Sequence, residues 1–214
     1  SKVMNDLFFL ASDSLQGRKT TTAGNEIARN YIIQRLQKLG VSAYVQDYSQ
    51  SFTFGKDTIP AVNILGFIEG FTGEDFIVIS AHYDHVGMKG STEIFNGADD
   101  NGSGTSTVMS VANAVASAKK QGQGPRRSML FMLVSGEEKG LLGSKYYVNY
   151  PLFPLKDAVA DINVDMVGRV DKKYTNNPNY VYVIGSDRLS TELHEINERM
   201  NSEHTNLVLD YKYN

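Results

Sequence analysis

The sequence predicts an α/β sandwich. Two observations carry that expectation. The runs Phe76-Ile77-Val78-Ile79 and Met129 to Val134 are uninterrupted apolar stretches bounded by polar residues, the pattern of strands buried on both faces. Stretches with helical three- and four-residue spacing lie between the strands, and strands that alternate with helices build a sheet covered by helical layers.

In chain order, Ile27, Ala28, Tyr31, Ile32, Leu36 and Leu39 recur at helical spacing within the first 40 residues, and Gly40 is placed to end that helix. From Val41 the period changes to two, which predicts strands at 41–45 and 63–68 separated by turn-rich segments. The strand at 76–79 leads directly into His82, and a loop rich in Gly, Asp and Asn follows from Tyr83 to Ser103. A helix rich in Val and Ala is expected over 105–118, a strand over 129–134, and a helix over 141–147. Ala160 to Val164 reads as a third strand ending at Asp165; a strand at 181–184 and a helix from Leu189 to Met200 complete the legible elements. No internal repeat or low-complexity segment interrupts them.

Composition narrows the function. The 214 residues carry 21 Lys and Arg against 24 Asp and Glu, a net charge of −3, and no basic block longer than Lys119-Lys120 or Arg126-Arg127. That is no electrostatic footprint for nucleic acid or an anionic membrane. The longest purely apolar run, Met129 to Val134, is far short of the roughly 18 to 20 residues of a membrane span. The first residues lack the basic start and apolar middle of a secretory signal, so the chain is either cytosolic or has had a signal removed. With no cysteine, thiolate metal sites and cysteine nucleophiles are excluded, and any metal must be held by His, Asp and Glu.

Each of the three strands runs at its C-terminal end into histidine or acidic residues: His82 and Asp84, then Glu137 and Glu138, then Asp165. In open α/β sheets that edge is where ligands bind. Asp99-Asp100-Asn101-Gly102-Ser103-Gly104 sits at a loop-to-helix junction, so the polar groups are expected to converge on one rim. One imidazole with several carboxylates suits a divalent cation such as zinc, although the donor types alone would also suit manganese or cobalt. A pair of cations is plausible, because hydrolytic pairs lie roughly 3.5 to 4 Å apart and share a carboxylate and a water. His82 followed two residues later by Asp84 suits a ligand and the carboxylate that fixes its tautomer. Each motif alone is more often a surface turn or a solvated loop; their order and their placement at strand ends are what make the set specific.

These residues resemble a known family. His82-Tyr83-Asp84, Gly97-Ala98-Asp99-Asp100-Asn101-Gly102-Ser103-Gly104, Gly136-Glu137-Glu138-x-Gly140-Leu141-x-Gly143-Ser144 and Asn163-x-Asp165-Met166-x-Gly168 are similar to the motifs of co-catalytic di-zinc aminopeptidases of the bacterial leucyl aminopeptidase type. The opening Leu10-Ala11-Ser12-Asp13-x-Leu15-x-Gly17-Arg18 resembles theirs too, and the likeness is strong from about Asp6 to Arg169. The resemblance implies a three-layer sandwich with a central mixed, mostly parallel sheet flanked by helices, and one catalytic-type domain over 1–214. It implies His82 and Asp165 as ligands of one zinc, Glu138 as a ligand of the other, Asp100 as the bridging carboxylate, Glu137 as general base and Asp84 as the group that orients His82. Asp99 is read as a supporting or exposed residue, and His85 as a cleft-wall or hydrogen-bonding residue rather than a ligand. Peptides with a free N-terminus are the implied substrates. The resemblance also implies an exported protein, periplasmic or secreted.

The chain departs from the family pattern in one respect. The pattern has a fifth ligand, a histidine well beyond the last aspartate, whereas His194 and His204 lack that context and read as surface histidines. The expectation is therefore a chain that stops before its final strand and helix, with a second zinc site built only from Glu138 and Asp100, weak second-metal binding and low turnover. Two alternatives remain: a glutaminyl cyclase-like zinc aminoacyltransferase, and a non-catalytic interaction domain on the same scaffold.

Overall fold

The computed structural model describes residues 2–56, 58–73, 75–188 and 190–214, and divides into two compact units, Ser1–Gly168 and Arg169–Asn214. In the first unit α1 spans Lys2–Leu10, α2 Ala23–Leu39, β1 Ser42–Ala43, β2 Ser49–Phe54, β3 Ile59–Ile68 and β4 Phe76–His82. There follow β5 Gly87–Lys89, β6 Glu93–Phe95, α3 Gly104–Lys120, β7 Ser128–Val134, α4 Leu142–Asn149 and β8 Ala158–Asn163.

The helical signal of the first 40 residues is two helices. Between α1 and α2 the chain is broken at Gln16, Gly17 and Arg18, which all take positive φ, a conformation no helix continues through. Thr22 caps α2 through its side chain, and Gly40, at φ 77°, ends it in the left-handed conformation that glycine adopts without steric cost. α1 packs on α2 through the buried Asp6, which accepts hydrogen bonds from Arg35 Nε and Nη2 at 2.8 and 2.9 Å, and through Phe9 stacked on Tyr31. The strand expected at 41–45 is only two residues long. Beyond it Tyr44 leaves the ladder and packs its ring against Phe153.

The central sheet has the order β1-β3-β7-β4-β8, with β2 also paired to β3. The pairings of β3 with β1, β2 and β7 are antiparallel, and those of β4 with β7 and β8 are parallel, so among the described residues the sheet is mixed but not mostly parallel as the resemblance implies, because β1, β2 and β3 add an antiparallel half. The parallel half matters for function, because it brings the C-terminal ends of β4, β7 and β8 to one edge. Register places His82 opposite Val134 and Ser80 opposite Asn163.

Side chains alternate across the sheet as the pleat requires. Ile64, Ile79, Ala81, Phe131 and Leu133 join α1, α2 and α3 in one buried layer. Leu65, Phe76, Val78, Leu130, Met132 and Val134 face the other way and pack with Tyr147 of α4. The three-layer sandwich is therefore present, and the two apolar runs read as doubly buried strands are its centre.

The loop after β4 holds a small antiparallel hairpin of β5 and β6, which the sequence does not announce. In the second unit β9, Tyr180–Tyr182, pairs in parallel with β10, Val208–Asp210, and α5, Thr191–Met200, connects them. Leu189, where the sequence starts that helix, lies outside the described residues. Ser190 caps α5 by accepting from the Leu193 amide at 3.1 Å.

Candidate metal centre

β4 delivers His82 to the sheet edge with its ring only 3% exposed. Nδ1 lies 3.1 Å from the main-chain oxygen of Asp84. A carbonyl can only accept, so Nδ1 carries a proton and Nε2 is the nitrogen that faces outward. Nε2 then stands 3.2 Å from Asp100 Oδ1 and 3.6 Å from Asp165 Oδ2. Without a cation this ring is held protonated. Burial pulls its pKa down, but hydrogen bonding and charge from Asp165 and Asp84 outweigh it and hold the ring at about 10.

Asp84 is fully buried, and its carboxylate does more than face the His82 ring, whose Nδ1 is 3.7 Å away. Oδ2 accepts from Thr20 Oγ1 at 2.8 Å, and Oδ1 accepts from the Glu137 amide at 3.2 Å. It thus ties the loop after β4 to the turn after β7.

That turn, Glu137–Lys139, is flanked by Gly136 and Gly140 at φ 76° and 101°. It leaves Glu137 and Glu138 half-buried at the rim. The Glu137 carboxyl is pushed up, chiefly by burial; His82 opposes the shift, and the negative charges of Glu138, Asp84 and Asp165 add to it.

Asp100 lies in a π-helical turn, Ala98–Ser103, that opens into α3. The turn also fixes the segment carrying Asp165. Buried Asn101 donates to Val164 O at 2.9 Å and accepts from the Met166 amide at 3.3 Å. Ser103 Oγ accepts from the Val167 amide at 3.1 Å, and Asp99 Oδ1 from the Gly168 amide at 2.8 Å. Asp99 is therefore a structural tie between two loops.

His85 does hydrogen-bond, its Nδ1 lying 2.8 Å from Glu138 Oε1; the same nitrogen is 3.9 Å from Asp100 Oδ2. Two triplets of donor atoms result, His82-Asp100-Asp165 and His85-Asp100-Glu138, the atoms of each within 4.8 Å of one another. Donors about 2.1 Å from a tetrahedral ion lie ~3.4 Å apart, and the observed spacings of 2.8, 3.2, 3.6 and 3.9 Å bracket that value. Nitrogen and oxygen donors, crowded carboxylates and a fixed imidazole tautomer all fit zinc. Bound there, zinc would be held by these side chains and would offset their mutual repulsion. In the second unit His194 is half-buried with Nδ1 2.9 Å from Ser186 Oγ, and His204 is exposed beside Glu203.

The residue that the sequence leaves least explained is Arg18. It is fully buried, donating from Nε to Tyr83 O at 2.9 Å, from Nη1 to Asn96 O at 2.8 Å and to Leu10 O, and from Nη2 to Gly97 O at 2.9 Å. It joins the loop that carries His82, Asp84 and His85 to the segment leading into Asp100. Burial lowers its pKa to about 10 against the pull of Asp84 and Asp100, so it stays charged at neutral pH. Arg18→Met keeps the length of the side chain but leaves those carbonyls without a donor. A loss of about 3–5 kcal/mol in unfolding free energy is expected in urea titrations. An unchanged denaturation midpoint would show that the loops hold without it.

A model of peptidase family M28 matches residues 63–213. Leupeptin-inactivating enzyme 1 of Streptomyces exfoliatus is 28% identical over 172 residues, covering 80% of this chain and 36% of the relative. Aminopeptidase YwaD of Bacillus subtilis is 36% identical over 95 residues, covering 44% of this chain and 18% of the relative. The chain thus spans about a third or less of the length of these relatives. Among solved structures, a zinc aminopeptidase from Bacillus subtilis superimposes with a TM-score of 0.75 at 16% identity over 98% of this chain and 78% of its own. Porphyromonas gingivalis glutaminyl cyclase does so at 0.69 and 20% identity, over 94% and 68%. At these identities the structural likeness speaks for the fold alone.

Proposed function

This chain belongs to peptidase family M28, and from that premise and the geometry of the rim we propose that it is a zinc aminopeptidase, hydrolysing the first peptide bond of peptides with a free N-terminus. The observation that carries the reading is the pair of donor triplets sharing Asp100, with Glu137 beside them. His82, Asp100 and Asp165 would hold one zinc, and Glu138 with Asp100 would contribute to the other. Zinc, when bound, supplies Lewis acidity towards the scissile carbonyl and acidifies a water towards neutral pH.

The remaining steps fall to the chain. Asp84 holds the His82 loop and the Glu137 turn at a fixed separation, so donor and base do not drift apart. Glu137 takes the proton of the attacking water as its oxygen bonds to the carbonyl carbon. As the C–N bond breaks, Glu137 returns that proton to the leaving amine nitrogen. An unblocked α-amine is a cation when protonated and offers a nitrogen lone pair when neutral, and an acidic metal rim accommodates both. An acetyl cap removes the charge and delocalises the lone pair.

The test compares leucyl-p-nitroanilide with its N-acetyl form, and adds a glutaminyl peptide. Cleavage of the free-amine substrate at least ~100-fold faster, with release of the free amino acid, is expected. Equal rates on both would end the aminopeptidase reading. Pyroglutamate formed without release of an amino acid would replace it with a cyclase. Zinc binding with no turnover of any substrate would leave an interaction domain.

A further inference from the structure

We infer that Asn63 is a positioning residue for Glu137: its one buried side-chain amide closes both ends of the turn that carries Glu137 and Glu138. The assignment rests on the role proposed for Glu137 and says what in this chain holds that group at the rim. Asn63 lies on β3, is fully buried, and forms a cross-strand pair with Gln50 of β2. Its Oδ1 accepts from the Ser135 amide at 3.3 Å, where β7 has just ended and the turn begins. Its Nδ2 donates to Gly143 O at 2.9 Å, where the turn has passed into α4. Residues 135 and 143 are the two feet of the segment, and both stand on one carboxamide.

The orientation of that carboxamide is fixed. Nδ2 also donates to Gln50 Oε1 at 3.0 Å, and Gln50 Nε2 donates in turn to Tyr150 O at 2.9 Å, at the far end of α4. A flipped amide would set a donor against the Ser135 N–H and an oxygen against both Gly143 O and Gln50 Oε1. Packing closes the bracket as tightly as bonding does. A Cβ at Gly143 would stand 2.3 Å from Asn63 Oδ1 and 2.4 Å from Ser135 O, so only glycine brings the two feet this close. Between them the turn makes its own bonds, from the Leu142 amide to Gly136 O at 3.0 Å and from the Leu141 amide to Glu137 O at 2.9 Å. It is a unit whose placement is decided at its feet, with Asp84 Oδ1 holding the Glu137 amide from the loop after β4.

The deciding experiment replaces the bracket with a side chain of the same branched shape, Asn63→Leu, and reads it twice. In amide hydrogen exchange of the metal-free chain, the amides of Ser135 and of residues 140–142 should exchange at least ~10-fold faster than in wild type, while those of β4 keep their rates. Turnover of leucyl-p-nitroanilide should fall about 10²-fold at little-changed KM, the effect of moving a reacting group by about 1 Å. In a Glu137→Gln background the same substitution should cost less than about threefold, because a residue that acts through the base has nothing left to position.

Gln50→Met leaves both feet bonded and removes only the clamp on the amide, so it reads the same point should the leucine variant fail to fold. The same turn-confined exchange and a fall of about 3- to 10-fold in turnover are expected, the latter again absent without Glu137. Unchanged exchange in the turn, or a loss of turnover that multiplies with that of Glu137→Gln, overturns the assignment. A wild-type chain that turns over no substrate removes the aminopeptidase reading instead, and the exchange pattern then decides the bracket by itself.

Discussion

Asp100→Asn is expected to remove both cations at once and to reduce peptidase turnover by about 10³-fold or more. The amide has the same shape as the carboxylate, but it is neutral and its nitrogen is no ligand. Asp100 is the one side chain common to both donor triplets, with Oδ1 turned to His82 and Oδ2 to His85. Neutralising it would leave His82 and Asp165 on one side and Glu138 on the other without the carboxylate between them, and would remove the anion that screens nearby positive charges from each other. Without metal, Asp100 Oδ1 faces the protonated His82 ring at 3.2 Å while Asp165 and Glu138 crowd the same rim, so losing its charge removes an ion pair and relieves repulsion at once. The chelated variant should therefore melt close to chelated wild type. Adding zinc should raise the melting temperature of the wild type alone, because a ligand that binds only the native state stabilises by about 2.7 kcal/mol at a hundred times its dissociation constant. An Asp100→Asn protein that still gains the full zinc-induced shift would show that the carboxylate is not shared.

Much of the scaffold for this site can be read from the linear sequence. β4 and β7 are uniform apolar runs because both of their faces are buried, and uniform burial leaves a plain signature. The parallel arrangement of β4, β7 and β8 then forces their C-terminal ends to one edge, so His82, Glu137, Glu138 and Asp165 could be grouped before any distance was known. α1 is different: in nine residues only Asp6 and Leu10 are buried, and Phe8 is exposed, which gives periodicity too little to work on. The small hairpin of β5 and β6 is three residues a side and equally silent.

The site's supporting bonds are long-range, and spacing along a chain carries no information about them. Arg18 reaches Tyr83, Asn96 and Gly97 across 65 to 79 residues, and His85 reaches Glu138 across 53. His85 lies in irregular backbone, where no helical or strand period says which way a side chain three residues after His82 will point. Asp84 was legible as a partner of His82, but its carboxylate bonds to Thr20 and the Glu137 amide are products of the tertiary fold.

Glu137→Gln separates the base from the metal centre. Glutamine keeps the size of the side chain, and the Glu137 amide that donates to Asp84 Oδ1 is main chain, so the turn and the adjacent Glu138 should stay in place. What is lost is a group able to take a proton. Turnover of leucyl-p-nitroanilide should fall by about 10² to 10⁴-fold, the usual contribution of a positioned general base. KM and bound metal should change little, since Glu137 belongs to neither donor triplet. The acidic limb that a carboxylate base imposes on the pH dependence of turnover should disappear in the variant, because the amide does not titrate. That limb is the reading a merely structural role for Glu137 would not move. If the variant keeps more than about a tenth of wild-type turnover with its metal intact, proton transfer runs through another group.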